Sequence, residues 1–230
     1  MSKESNLRIV NDILKFNKNK PEDIYISFDK YNFKTVYALI IGPKNTPYYG
    51  GFFFFKIDFP DNYPKNSPKV KFLTTDGRVR FNPNLYACGK VCLSILGTWS
   101  GPAWTEVMTM SSVLLSIQSL LCPQPIRNEP GWEMIKETDE RSICYNIYLM
   151  YQTYSLAILN VLDGKFKYSK MFEQEISDNL KKNFETLHHD LLSYKEIYGK
   201  YMLLNTIFGA CNQEFDFIKL EETFKNYNKN

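Results

Sequence analysis

The sequence predicts an α+β fold: an N-terminal helix, a four-stranded antiparallel meander, a long irregular crossing and then helices. Three observations carry this. Four segments rich in β-branched and aromatic residues follow one another with turn-sized links, which makes neighbours antiparallel and not βαβ-wound. An amphipathic stretch with helical spacing precedes them. Beyond the crossing, apolar residues recur in steps of three and four.

Each element follows in order. The first helix runs from Glu4 to about Lys18; Leu7, Val10, Ile13 and Leu14 fall on one face, and Arg8, Lys15 and Lys18 leave a basic outer side. Pro21 ends it. The strands are about Ile24–Phe28, Lys34–Ile41, Gly51–Asp58 and Lys69–Leu73. Asp29-Lys30-Tyr31-Asn32, Gly42-Pro43-Lys44-Asn45 and the Pro-rich Pro60–Pro68 separate them. From Thr74 to Ala103 the chain is irregular, punctuated by Gly77, Pro83, Gly89, Gly97, Gly101 and Pro102. A stretch of this length without regular structure inside a compact domain is usually functional. A helix over about Glu106–Cys122 follows, and Pro123 and Pro125 stop it. Past it everything reads as helical. One stripe is Ile143, Ile147, Met150, Tyr154, Ile158 and Val161, with Gly164 as C-cap. A second is Ile176, Leu180, Phe184, Leu187, Leu191, Tyr194 and Tyr198. These are read as packing faces. The boundary falls near Gly164, giving a core over residues 1–163 and a helical extension over 164–230.

Composition narrows the class. Hydrophobic residues make up 44% and charged residues 23%, which excludes wholesale disorder, a collagen-like fibre and a disulfide scaffold. The net charge of +3 gives no strong case for nucleic-acid binding. The longest apolar runs, Val36–Ile41 and Phe52–Phe55, are far too short to span a membrane. The start has no apolar signal region, so the expected location is intracellular, in cytoplasm and nucleus. The cysteines are Cys88, Cys92, Cys122, Cys144 and Cys211, without a Cys-x-x-Cys pair, which fits a reduced protein without structural zinc. Cys122, Cys144 and Cys211 are expected on helices, packed as small apolar residues.

The irregular stretch contains Phe81-Asn82-Pro83-Asn84, and eight residues after Asn84 the run Cys92-Leu93-Ser94-Ile95-Leu96. This pairing resembles the active site of ubiquitin-conjugating enzymes, whose usual tripeptide is His-Pro-Asn. Other blocks resemble the family in the same order: Ile41-Gly42-Pro43 with Thr46-Pro47-Tyr48 and Gly50-Gly51; Phe59-Pro60 with Tyr63-Pro64 and Pro68-Lys69-Val70; and Val113–Leu121. Within the family, Gly97-Thr98-Trp99, Gly101-Pro102-Ala103-Trp104 and Asn128-Glu129-Pro130-Gly131 resemble the Z-type members, which also carry a helical extension past the core.

Exchanging one thioester for another is nearly thermoneutral and needs an accessible thiolate, not a strong activating dyad. That suits a chain whose histidines, His188 and His189, lie far downstream on a helical stripe. The resemblance implies that Cys92 carries the acyl group. It implies that Asn84 donates to the oxyanion formed when a lysine attacks, or supports the loop that does. In the family an acidic residue past the second helix orients the lysine; here Asn128 stands at that place with Glu129 beside it, and Ser94 stands where an Asp is common. The implied partners are ubiquitin or a ubiquitin-like modifier, an ATP-dependent activating enzyme, a ligase and protein substrates, with neither nucleic acid nor membrane. No cofactor or metal is implied. Candidate partner-binding residues are Arg8 and Lys15 on the first helix, Tyr63 and Pro64 on the first ligase loop, and Trp104 on the second. Other readings stay open: a ubiquitin-binding variant without catalysis, a cysteine hydrolase using the tail histidines, and a Cys88–Cys92 redox pair.

Overall fold

The computed structural model describes residues 3–29, 31–201, 204–211 and 214–229. The chain forms two compact units: Met1–Ile41 with Phe53–Leu121, and Gly42–Phe52 with Cys122–Asn230.

The first unit is built on helix α1 (Lys3–Asn19), strands β1 (Ile24–Phe28), β2 (Thr35–Ile41), β3 (Phe52–Asp58) and β4 (Lys69–Phe72), and helix α2 (Met110–Leu120). The strands lie in the order β1-β2-β3-β4. Ile24 pairs antiparallel with Ile40, and Phe55 with Phe72. Phe52 to Phe55 are all buried, so the central strand reads as a continuous apolar run and not as an alternation. Phe81, on the irregular crossing, meets Phe53 and Phe72 edge-on at centroid distances of 5.2 and 6.0 Å, which pins the crossing to the sheet.

Two sequence expectations need correction here. Helix α1 buries Ser5, Ile9, Asp12 and Phe16, while Leu7 and Leu14 are 61% and 60% exposed and Val10 is exposed as well. A buried carboxylate decides the orientation: Asp12 accepts from Arg8 Nε at 2.9 Å and from the Tyr63 hydroxyl, which draws its face inward. Helix α2 starts at Met110 and not at Glu106. The Arg8 guanidinium takes the carbonyls of Glu106 and Met108 at 2.8 and 2.7 Å, and Thr109 with Ser112 closes a capping box at the helix start.

In the second unit, the 42–52 loop closes on itself through Gly42 N–H to Gly51 O at 2.8 Å. A Cβ on Gly42 would stand 1.7 Å from the Tyr48 carbonyl oxygen, so no side chain fits there. Helix α3 (Glu140–Gln152) runs through a π-helical turn, Thr153–Leu159, into the short α4 (Asn160–Leu162). Gly164 ends it, with its N–H on the Val161 carbonyl at 3.0 Å. Helix α5 (Glu173–Tyr198) and helix α6 (Phe217–Lys225) flank four short strands. Of these, β5 (Lys200–Tyr201) pairs with β8 (Phe215–Asp216), and β6 (Leu204–Thr206) with β7 (Gly209–Cys211). The all-helical expectation fails in this segment, and Cys211 lies on a strand. The β6–β7 link is a two-residue turn closed by Thr206 opposite Gly209. Cys122 lies just past α2, and Cys144 is buried on α3 as expected.

Residues on both sides of Gly164 share this unit's interior. The Tyr154 hydroxyl donates to the Leu187 carbonyl at 2.8 Å, and the Phe184 and Phe224 rings stack at 4.8 Å. Glu221, only 4% exposed, joins α6 to α5. It accepts from Lys195 Nζ and pairs with His188 Nε2, each at 2.8 Å. Lys195, then His188, holds its carboxyl below the ordinary glutamate range, against the opposing pull of burial. A depressed carboxylate contributes stability above its unfolded pKa and loses it as pH falls through the folded one. Glu221→Gln is therefore expected to lower stability at neutral pH by about 1–3 kcal/mol. It should also flatten the acid limb of a Tm-against-pH profile. An unchanged acid limb would count against the clamp.

Candidate active site

A hairpin explains the spacing of Asn84 and Cys92. Leu85 bridges Val91 antiparallel, the Tyr86 N–H donates to Lys90 O at 3.0 Å, and the Gly89 N–H closes the turn on Tyr86 O at 2.8 Å. Gly89 has φ +89, and a Cβ there would stand 2.7 Å from the Phe72 carbonyl oxygen. Glycine thus lets the turn hang on β4, where the Phe72 N–H donates to Gly89 O at 2.8 Å. Arg80 and Lys90 flank the Tyr86 ring at 4.0 and 5.5 Å and brace the tip.

One step beyond the Leu85–Val91 pair, this register sets Asn84 opposite Cys92. The Cys92 N–H donates to Asn84 O at 2.9 Å, and Asn84 Nδ2 donates to Cys92 O at 2.7 Å. Asn82 fixes Asn84 in turn: fully buried, its Oδ1 accepts from the Asn84 N–H at 2.9 Å and its Nδ2 donates to Leu120 O, at the end of α2, at 2.8 Å. An amide does both jobs without titrating, which accounts physically for Asn82 where the related tripeptide has histidine. Cys92 is 1% exposed, so the accessible thiol expected from the sequence is not what the structure presents. Ser94 follows it, opening the 3-10 turn Ser94–Leu96. A cavity of about 680 Å³ lies alongside, lined among others by Lys65, Lys69, Val91, Leu96, Thr98 and Trp104.

Asn128 and Glu129 lie in the second unit, at the end of the 3-10 turn Pro125–Asn128, where Asn128 Nδ2 approaches Cys122 Sγ at 4.0 Å. Burial pushes the Cys122 thiol pKa up, so it is not a ready nucleophile. His188 is committed to Glu221, and His189 sits 3.8 Å from Asp190. Cys88 and Cys92 are both free thiols, the first exposed and the second buried.

Of the partner-binding candidates, Lys15 is exposed. Arg8 turns inward to Asp12 and two carbonyls. Tyr63 is buried, and burial together with Asp12 drives its phenol pKa far up, so its side chain serves the core and not a docking surface. Pro64 accepts from Trp104 Nε1 at 2.6 Å, which ties the two loops together. Thr98 escaped the sequence reading: its hydroxyl bonds the main chain on both sides of Cys92. Only its place five residues after Leu93, across a glycine, signals such a return. Among the described residues, no helix is long and apolar enough to cross a membrane.

The family model described as ubiquitin-conjugating enzyme matches residues 8–145. The chain is 46% identical over 160 residues to ubiquitin-conjugating enzyme E2 Z of Homo sapiens, covering 69% of this chain and 45% of that protein. It is 46% identical over 165 residues to the Danio rerio protein of the same name, covering 71% and 50%. A putative ubiquitin-conjugating enzyme E2 38 of Arabidopsis thaliana is 46% identical over 144 residues, covering 58% and 44%. A solved structure of human ubiquitin-conjugating enzyme E2 G1 superposes with a TM-score of 0.44 at 32% identity, covering 52% of this chain and 94% of that one. The chain spans about half the length of the E2 Z relatives it matches. With the hairpin, Asn84 and Cys92 all inside the matched span, this chain belongs to the ubiquitin-conjugating enzyme family.

Proposed function

We propose that the chain accepts ubiquitin, or a ubiquitin-like modifier, from an activating enzyme as a thioester on Cys92 and passes it to a lysine or to a ligase. The observation that supports this most is the pairing of Asn84 with Cys92 across the hairpin, at 2.7 and 2.9 Å. In loading, the modifier's C-terminal acyl carbon leaves the activating enzyme's sulfur and bonds to Cys92 Sγ; the proton of the Cys92 thiol ends on the departing thiol. In discharge, a lysine nitrogen bonds to that carbon, the C–S bond breaks and the amine's excess proton returns to sulfur or solvent. Neither step is a redox step. A side-chain amide at Asn84 is suited to donate to the oxyanion of the second step. Asn128 with Glu129, and Ser94, keep only the lysine-orienting role that the family resemblance implies for their positions.

The exposed Leu7, Val10 and Leu14 beside Lys15 offer an apolar and basic face to the activating enzyme. The Pro64 and Trp104 loops offer the ligase surface. Residues 1–163 form the catalytic core of this reading, in an intracellular setting, and residues 164–230 tune partner choice. A chain cut after Gly164 that keeps its helical circular dichroism should still load in a single turnover; a folded cut chain that cannot load would assign the extension to the chemistry. A panel of activating enzymes with ATP and ubiquitin or its relatives tests the function. One combination should add a single modifier through a bond that a reducing agent cleaves. No addition with any combination would overturn the proposal.

A further inference from the structure

We propose that Thr98 is the positioning residue of Cys92, a role that rests on the acyl-transfer reading above. The Thr98 hydroxyl donates to Val91 O at 2.7 Å and accepts from the Leu93 N–H at 3.0 Å. Asn84 holds the two groups between them, the Cys92 N–H and the Cys92 C=O. Four consecutive main-chain groups around the nucleophile are therefore tied, the outer two by Thr98 and the inner two by Asn84. The Thr98 N–H adds a bond to Leu93 O at 3.2 Å.

Local geometry makes this possible. Val91 O and the Leu93 N–H both lie within reach of one hydroxyl, and Leu93, extended at φ −141 and ψ 140, leads from them into the turn. The turn Ser94–Leu96 ends at Gly97 in the left-handed region, φ 67, and brings Thr98 back to the strip it left. A hydroxyl donates and accepts at once, which no other side chain this short does without charge. Asn84 alone would leave the peptide planes on either side of Cys92 to pivot. With Thr98 in place, the direction of the Cα–Cβ bond, from which Sγ projects, is set from both sides. Acyl transfer depends on that direction, because misplacement by about 1 Å can cost a hundredfold.

The test compares Thr98→Val, which keeps the shape and loses the hydroxyl, with Thr98→Ser, which keeps the hydroxyl. Discharge of purified thioester to free lysine is followed in a single turnover, so that the rate constant does not depend on how much protein is folded. Thr98→Val should discharge about tenfold more slowly at an unchanged half-saturating lysine concentration. Thr98→Ser should stay within about twofold of the wild type. Wild-type rates in Thr98→Val, or equal impairment in both variants, would overturn the proposal. Two measurements need no thioester. In the wild type, the Leu93 amide should exchange its hydrogen about tenfold or more below the free rate; free exchange would overturn the clip. Iodoacetamide should alkylate Cys92 faster in Thr98→Val than in the wild type or Thr98→Ser, and equal rates would overturn it too. If no activating enzyme loads the chain, the acyl-transfer reading falls, and exchange and alkylation still judge the clip.

Discussion

Cys92→Ser is expected to turn the labile adduct into a slowly formed ester that survives a reducing agent, and Cys92→Ala to abolish it. The contrast follows from the atom that carries the acyl group. A thiolate exchanges readily between thioesters, and thiol reagents reverse the bond by the same exchange. A serine oxygen is a far weaker nucleophile near neutral pH, and its ester does not exchange with thiols. Denaturing gels with and without reducing agent read the difference directly. Cys88→Ala serves as the contrast: that thiol is exposed on the hairpin turn and has no partner role in the site, so loading should persist. An adduct that survives Cys92→Ala would name the wrong nucleophile.

The second large effect is expected from Asn84→Ala, in discharge and not in loading. Both steps build a tetrahedral oxyanion, but thiolate exchange between thioesters is intrinsically fast, so the lost donor tells on the slower attack by lysine. Losing one oxyanion donor costs on the order of a hundredfold in rate. The structure adds a second consequence. Asn84 Nδ2 donates to the Cys92 carbonyl, while Asn84 Oδ1 is buried without a hydrogen-bond partner. Alanine therefore removes one working group, the donor, and leaves a carbonyl unpaired at a cost of about 1–3 kcal/mol. Denaturant unfolding measures that loss beside the single-turnover rate. A hundredfold loss in discharge supports the donor role; a loss of only a few fold with the same destabilisation would reduce Asn84 to loop support.

How much of this was legible in the sequence depends on the range of the forces involved. The four strands fall within a residue or so of expectation, because alternating turn residues and aromatic runs are local signals. The Asn84–Cys92 spacing was legible as a motif, and the hairpin register now explains it: Leu85 opposite Val91 sets Asn84 opposite Cys92. The errors share a different origin. The inward face of α1 is chosen by Asp12, held by Arg8 and by Tyr63, 51 residues further on. The late start of α2 is imposed by Arg8 from about 100 residues away. Such long-range polar bonds outweigh the periodicity that set Leu7, Val10, Ile13 and Leu14 on one apolar face, and Ile9 and Phe16 are buried instead. The short strands β5–β8 were hidden because strands of two or three residues leave no alternation to read. Thr98 was hidden because its role is set by where a turn returns the chain, not by its residue type alone.

The central claim is that one modifier is carried on Cys92. Its most direct test is the intact mass of the wild-type protein after reaction with an activating enzyme, ATP and ubiquitin, followed by peptide mapping of the adduct under non-reducing conditions. The account expects a gain of one ubiquitin, with the modifier's C-terminal remnant on the peptide that contains Cys92 and full reversal by a reducing agent. A remnant on Cys88 or on a lysine in the first turnover, or a mass gain that resists reduction, would contradict it.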